Sequence, residues 1–191
     1  MVELETLVET SRPHRADAAR NYDALIETAK VVFREEGITA SLEEVARRAG
    51  VGIGTLYRNF PTREDLIERV YASEVLVLCR KADEHLEDGG SEWDAFEAWL
   101  REFIPFLATK RALLDGLNRG SETMLCCRTA MYAAGEPLLE NAQTAGLVRP
   151  DVEIADVIRL VVGVAGVAYE TEEQGERVLG FAFDGIRTTR P

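Results

Sequence analysis

Residues 41–66 read "SLEEVARRAGVGIGTLYRNFPTREDL", and this stretch decides the fold. "S-L-E-E" has the form of a capping box, in which Ser41 and Glu44 satisfy each other's orphan amides at a helix start. Leu42, Val45, Ala46 and Ala49 follow at i, i+3, i+4 and i+7, one narrow buried stripe. Gly50 closes that helix, Val51 turns the chain, and Gly52 opens a second short helix that runs to Phe60 and stops at Pro61. At about 100° per residue, Leu56 and Phe60 fall together on one side of it, towards Val45 and Ala49. Gly54, Thr55 and Arg58 fall opposite, with Tyr57 and Asn59 flanking. Two short helices joined by a tight glycine turn are the helix-turn-helix arrangement, whose second helix enters the DNA major groove.

The outward face has suitable chemistry. The Arg58 guanidinium matches the paired acceptors of guanine, Thr55 supplies a hydroxyl, and Gly54 lets the backbone come close to the groove floor. Ser41, Tyr57, Asn59 and Arg63 suit phosphate, as do Arg12 and Arg15 ahead of the first helix, and the amides opening helix 53–60 attract anions. The candidate DNA-binding set is therefore Ser41, Ile53, Gly54, Thr55, Tyr57, Arg58, Asn59 and Arg63. No carboxylate stands on the reading surface, although Glu43 and Glu44 lie on the preceding helix. The same spacing also occurs in plain α-hairpins, so a helical interaction module without DNA binding stays open as the alternative.

Charge poses the obvious objection. The chain has 191 residues, with 34 acidic against 22 basic and a formal charge of −12. Residues 11–63 hold nine basic and seven acidic side chains, +2, whereas residues 71–191 hold twelve and 21, −9. Phosphate contacts depend on local cations, because salt screens charge beyond about 10 Å. The acidic remainder is expected to weaken nonspecific binding without blocking the head.

The pattern elsewhere stays helical. Residues 1–15 show no clear period and read as a flexible arm ending in "SRPHR". A helix is expected from Asp17 to Glu36, with Tyr22, Leu25, Ile26, Ala29, Val32 and Phe33 on its apolar face and Gly37 as its stop. Thr62 caps a long helix to about residue 87. Further helices are expected over 91–110, with a kink at Pro105, over 121–146, broken at Pro137, and over 151–170 and 171–187. Period-two alternation is absent. The expectation is an all-α chain of about nine helices: arm 1–15, helix-turn-helix domain 16–61, and a larger C-terminal helical bundle 62–191.

No apolar run approaches the ~20 residues of a membrane span, and the acidic "MVELETLVET" start is unlike a signal peptide. A cytoplasmic location is expected. Cys79, Cys126 and Cys127 form no C-x-x-C pair, and His14 and His85 stand in no metal spacing, so neither cofactor nor metal is expected. Buried inert thiols are commoner than a redox sensor at such a "CC" pair. No nucleophile–base set or phosphate-cradling loop argues for an enzyme.

"ASLEEVARRAGVGIGTLYRNFPTREDLIERVY", preceded by "FREEGITA", resembles the N-terminal domain of the TetR family of transcriptional repressors. The shared pattern is F-x-x-x-G, then (S/T)-x-x-x-(I/V)-A-x-x-A-G-V, then G-T-(L/I)-Y-x-x-F, over residues 17–75. Gly52, where family members usually carry Ser or Thr, and Asn59, often His or Tyr, depart from it. "VRPDVEIADVIRLVVGVAG" resembles the subgroup with an SbtR-like C-terminal domain. The resemblance implies a homodimer on a palindromic operator, with a C-terminal domain that binds a small-molecule effector and dimerises.

On that reading, Trp93, Phe96, Trp99, Phe103, Met124, Arg128, Met131 and Tyr132 are the side chains available to line a ligand pocket, most of them being core in any helical bundle. Arg128 shares a helix face with Met124 and Met131. It either meets an anionic ligand or is a surface or ion-paired residue. Val157, Val161, Val164 and Ala165, with Val178, Phe181, Ala182 and Ile186, are the candidate dimer interface, the alternative being burial within one subunit.

Overall fold

The computed structural model describes residues 2–37, 39–113 and 120–188. Among them are ten helices and no strand: α1 (Val2–Ser11), α2 (Ala16–Glu36), α3 (Leu42–Arg48), α4 (Ile53–Asn59), α5 (Arg63–Glu87), α6 (Glu92–Arg101), α7 (Phe103–Leu113), α8 (Glu122–Thr144), α9 (Ile154–Ala165) and α10 (Glu172–Ile186). The all-α class holds. By compactness the chain forms two units, Met1–Leu76 with Ala108–Arg128, and Val77–Leu107 with Thr129–Pro191.

In the first unit α2, α3 and α4 pack on one another. Leu25, Ala29, Val32 and Phe33 of α2 are buried, as are Val45 and Ala46 of α3 and Leu56 and Phe60 at α4. The Phe60 ring stacks on Tyr22, with centroids 5.0 Å apart and planes at 28°. Between α3 and α4 the chain reverses at Gly50, whose φ of 68° is the left-handed value that favours glycine. The amides of Gly50 and Val51 then return to the carbonyls of Arg47 (3.2 Å) and Ala46 (2.9 Å) and close α3. Buried Lys30 of α2 donates to Glu27 (2.8 Å) and pairs with Glu74 of α5 (2.9 Å).

The reading of residues 1–15 as a flexible arm is corrected, because residues 2–11 form α1. Leu4 is buried, and the Arg69 guanidinium donates to the Leu7 carbonyl (3.1 Å) and the Ser11 hydroxyl (2.7 Å). The anchor lies far away in sequence, so local periodicity gives no sign of it.

In the second unit Trp99 donates its indole N–H to the Leu78 carbonyl (3.0 Å) and meets Phe103 edge-on at 5.1 Å. Trp93 meets Phe96 and Phe183 in the same manner, at 6.4 and 6.2 Å. Helix α9 packs on α10. Each expected proline effect falls differently. Pro105 has no N–H for the Arg101 carbonyl, and the chain breaks just ahead of it, at Glu102, giving two helices, α6 and α7. Pro137 lies inside an unbroken α8, on an exposed face shared with Ala133, whose carbonyl loses its helical donor where solvent is at hand. The last two helices are shorter than expected, α9 ending at Ala165 with Gly166 as its cap.

Gly135 of α8 is dictated by packing: a Cβ there would lie 2.3 Å from the Trp99 ring and 2.8 Å from Ile154 Cδ1. Gly135→Ala is expected to destabilise the second unit by about 1–3 kcal/mol despite alanine's better helix propensity. Urea unfolding followed by tryptophan fluorescence checks this; an unchanged or raised midpoint would show that the ring has room to move.

Candidate nucleic-acid interface

The reading head is set by its helix starts. At α3 only half of the expected capping box forms: the Ser41 hydroxyl accepts from the Glu44 amide at 3.4 Å, but the Glu44 carboxylate does not return. Arginine outcompetes an amide for it, since a charged fork makes the stronger hydrogen bonds. Arg47 donates to Glu44 at 2.7 and 2.6 Å, and Arg48 at 2.6 Å. Arg48 reaches on to Glu35 (2.6 Å) and Glu36 (2.8 Å) at the end of α2. At α5 the box is complete, with Thr62 and Asp65 exchanging backbone-to-side-chain bonds of 2.9 and 3.1 Å.

Helix α4 turns Leu56 fully inward. Gly54 and Arg58 are exposed and Thr55 half-exposed, while Ile53 is 38% and Tyr57 45% exposed. Among the described residues nothing pairs with Arg58. Four other candidates are already engaged. Ser41 donates to Glu43 at 2.7 Å, and Asn59 donates to the Thr55 carbonyl at 2.8 Å, one turn back along its own helix. Arg63 donates to the Ala40 carbonyl at 2.7 Å, tying the start of α5 to the loop before α3. Arg12 grips both oxygens of Asp23, at 2.8 and 2.5 Å. The structure thus brings Ile53, Gly54, Thr55, Tyr57 and Arg58 onto one outward surface, and gives Ser41, Asn59, Arg63 and Arg12 partners within the chain. Arg15, at the N-cap of α2, is exposed.

The remaining candidates separate. Met124 and Arg128 belong to the first unit and the other six pocket candidates to the second. Arg128 is exposed, which fits the surface reading. Trp93, Phe96, Trp99, Phe103 and Met131 are buried, the first four in ring contacts typical of a core, and Tyr132 is half-buried. Of the interface candidates, Val157, Val161, Ala182 and Ile186 are buried inside the chain's own fold, because α9 and α10 spend those faces on the second unit's core. Val164, Ala165 and Val178 are half-buried, and Phe181 is 67% exposed. Leu160 of α9, which the sequence reading passed over, is exposed one turn before Val164, and Val167, beyond the end of the helix, is exposed too.

Two short helices packed across a glycine turn, the second with one face buried and the other open, have the geometry of a helix-turn-helix. Comparison with known proteins agrees. The family model of bacterial regulatory proteins of the tetR family matches residues 25–70, and that of the SbtR-like transcriptional-regulator C-terminal domain matches residues 93–188. A TetR transcriptional regulator from Streptomyces coelicolor superposes with a TM-score of 0.73 and 37% identity, over 88% of this chain and 99% of that one. One from Mycobacterium vanbaalenii gives 0.71 and 34%, over 92% and 100%. An HTH-type transcriptional regulator of Staphylococcus aureus is 28% identical over 119 residues, 62% of this chain; the match spans 64% of the length of that relative. The chain belongs to the TetR family of transcriptional regulators. Family and fold identify a regulator and not an enzyme. No described helix is long and apolar enough to cross a membrane.

Hydrogen bonds from Arg47 and Arg48 hold the Glu44 carboxyl at about 2, below its ordinary 4.5. A depressed carboxyl contributes stability above its unfolded value and loses it as pH falls through the folded one. The stability difference between wild type and Glu44→Gln is therefore expected to be full near neutral pH and to vanish as pH drops from 4.5 to about 2. Thermal melts across that range check it; a constant difference would mean that the arginines do not bind the ionised form.

Proposed function

We propose that this regulator is a repressor that, as a homodimer, binds a palindromic DNA operator through α4 and is released by a small molecule bound in its C-terminal region. In this scheme residues 16–61 read DNA, and residues 62–191 bind ligand and dimerise. The observation that carries the reading is the division of α4 into two faces. Leu56 is buried and Phe60 stacks on Tyr22, while unpaired Arg58, Thr55 and Gly54 face outward with no carboxylate among them. In this reading Arg58 meets guanine, and Tyr57 and Arg15 are the groups left to meet phosphate.

One such head spans only a few base pairs. Two heads related by a twofold axis address half-sites roughly 34–36 Å apart and gain affinity accordingly. Exposed Leu160 and half-buried Val164 of α9, together with exposed Phe181 of α10, support pairing of subunits through these helices, since a lone chain would leave that apolar surface in water. Helix α5 contributes residues to both compact units, and a ligand that favours one setting of it would change operator affinity. Coupling of about 1–3 kcal/mol corresponds to a 5- to 150-fold change.

A gel shift on a selected operator, titrated with salt, tests the proposal. Wild-type affinity is expected to fall steeply with salt. Arg58→Ala is expected to relax discrimination at one base pair per half-site by about 1–3 kcal/mol. A shallow salt slope, or an Arg58→Ala protein with wild-type base preference, would contradict it.

A further inference from the structure

Ile53 opens α4 and stays exposed although it is a large apolar side chain. Tyr57, one turn along the same flank, is exposed too, but its hydroxyl can meet a phosphate oxygen. Ile53 has no polar atom, so its only favourable contact with a duplex is apolar. The first residues of a recognition helix are those that reach base edges. Along the major groove the apolar group on those edges is the C5-methyl of thymine. A β-branched side chain is also stiff at χ1, so it loses little freedom on docking.

Gly54 supplies the second observation. Its φ is not positive, and a Cβ there would meet nothing within 4 Å among the described residues. Gly135, by contrast, is forced by the Trp99 ring. Glycine inside a helix weakens it, and no described neighbour requires glycine at residue 54, so a side chain there would only stand between Ile53 and whatever α4 docks on.

We propose that Ile53 reads the methyl group of a thymine in each operator half-site, with Gly54 keeping the groove wall within its reach. This rests on the DNA-reading assignment above and adds a base identity to it.

The test uses the full chain to select an operator from random duplexes. Each thymine is then replaced singly by deoxyuridine, which lacks only the methyl. One position per half-site is expected to cost the wild type about four-fold per half-site, the worth of burying one methyl group. Ile53→Ala is expected to lose a similar factor on the thymine operator and to be indifferent to deoxyuridine at that position. Ile53→Val keeps the sensitivity. If deoxyuridine weakens wild type and Ile53→Ala equally, or the sensitivity disappears in Tyr57→Ala instead, the assignment to Ile53 is overturned. A selected operator indifferent to every methyl overturns this inference alone. Failure to enrich any duplex overturns it together with the DNA-reading assignment.

Discussion

Everything in the reading head depends on the burial of Leu56 and Phe60 against α2 and α3. Helix α4 has seven residues and no side-chain cap at Gly52, so it is too short to persist in water unaided. Tertiary contact holds it, and the Tyr22–Phe60 stack fixes its C-terminal end. Once those two side chains turn inward, the helical period leaves Gly54, Thr55 and Arg58 no choice but to face out. Structure and chemistry are thus joined at one contact: the residues that stabilise α4 choose which of its residues face outward.

The charge of the chain ceases to be a paradox at the level of individual pairs. The carboxylates nearest the head are engaged locally. Glu44 is held by Arg47 and Arg48, Glu35 and Glu36 by Arg48, and Glu43 by the Ser41 hydroxyl. The same pairing leaves fewer cations for phosphate than their number suggests. Exposed pairs of this kind contribute little stability, so their effect is to set the local field. Arg58, with no partner among the described residues, stands out against that background.

The helix-turn-helix was legible because its information is local: a stripe at i, i+3, i+4 and i+7, a glycine at the left-handed turn residue between the helices, and a proline after the second helix. The long helix α5 and its Thr62 cap were legible for the same reason. Phosphate-binding candidates were less so, because residue type does not reveal an intramolecular competitor such as Asp23 for Arg12 or the Ala40 carbonyl for Arg63. Half of the candidate dimer face is buried within the chain, for a different reason. Helix α9 is apolar on two sides, with Val157 and Val161 inward and Leu160 outward, and the hydrophobic period alone cannot say which stripe its own subunit covers. Helix α1 escaped altogether, since a single buried leucine and a distant arginine hold it.

The central claim is that paired copies of the α4 outer face lie in the major groove of a duplex. Methylation interference on a selected operator tests it most directly, because methylating guanine N7 alters the major groove and methylating adenine N3 alters the minor one. The expected result is interference at guanines in two symmetric clusters, centred about one helical turn apart, roughly 34–36 Å. Interference confined to adenine N3, or a single unsymmetric cluster, would contradict it.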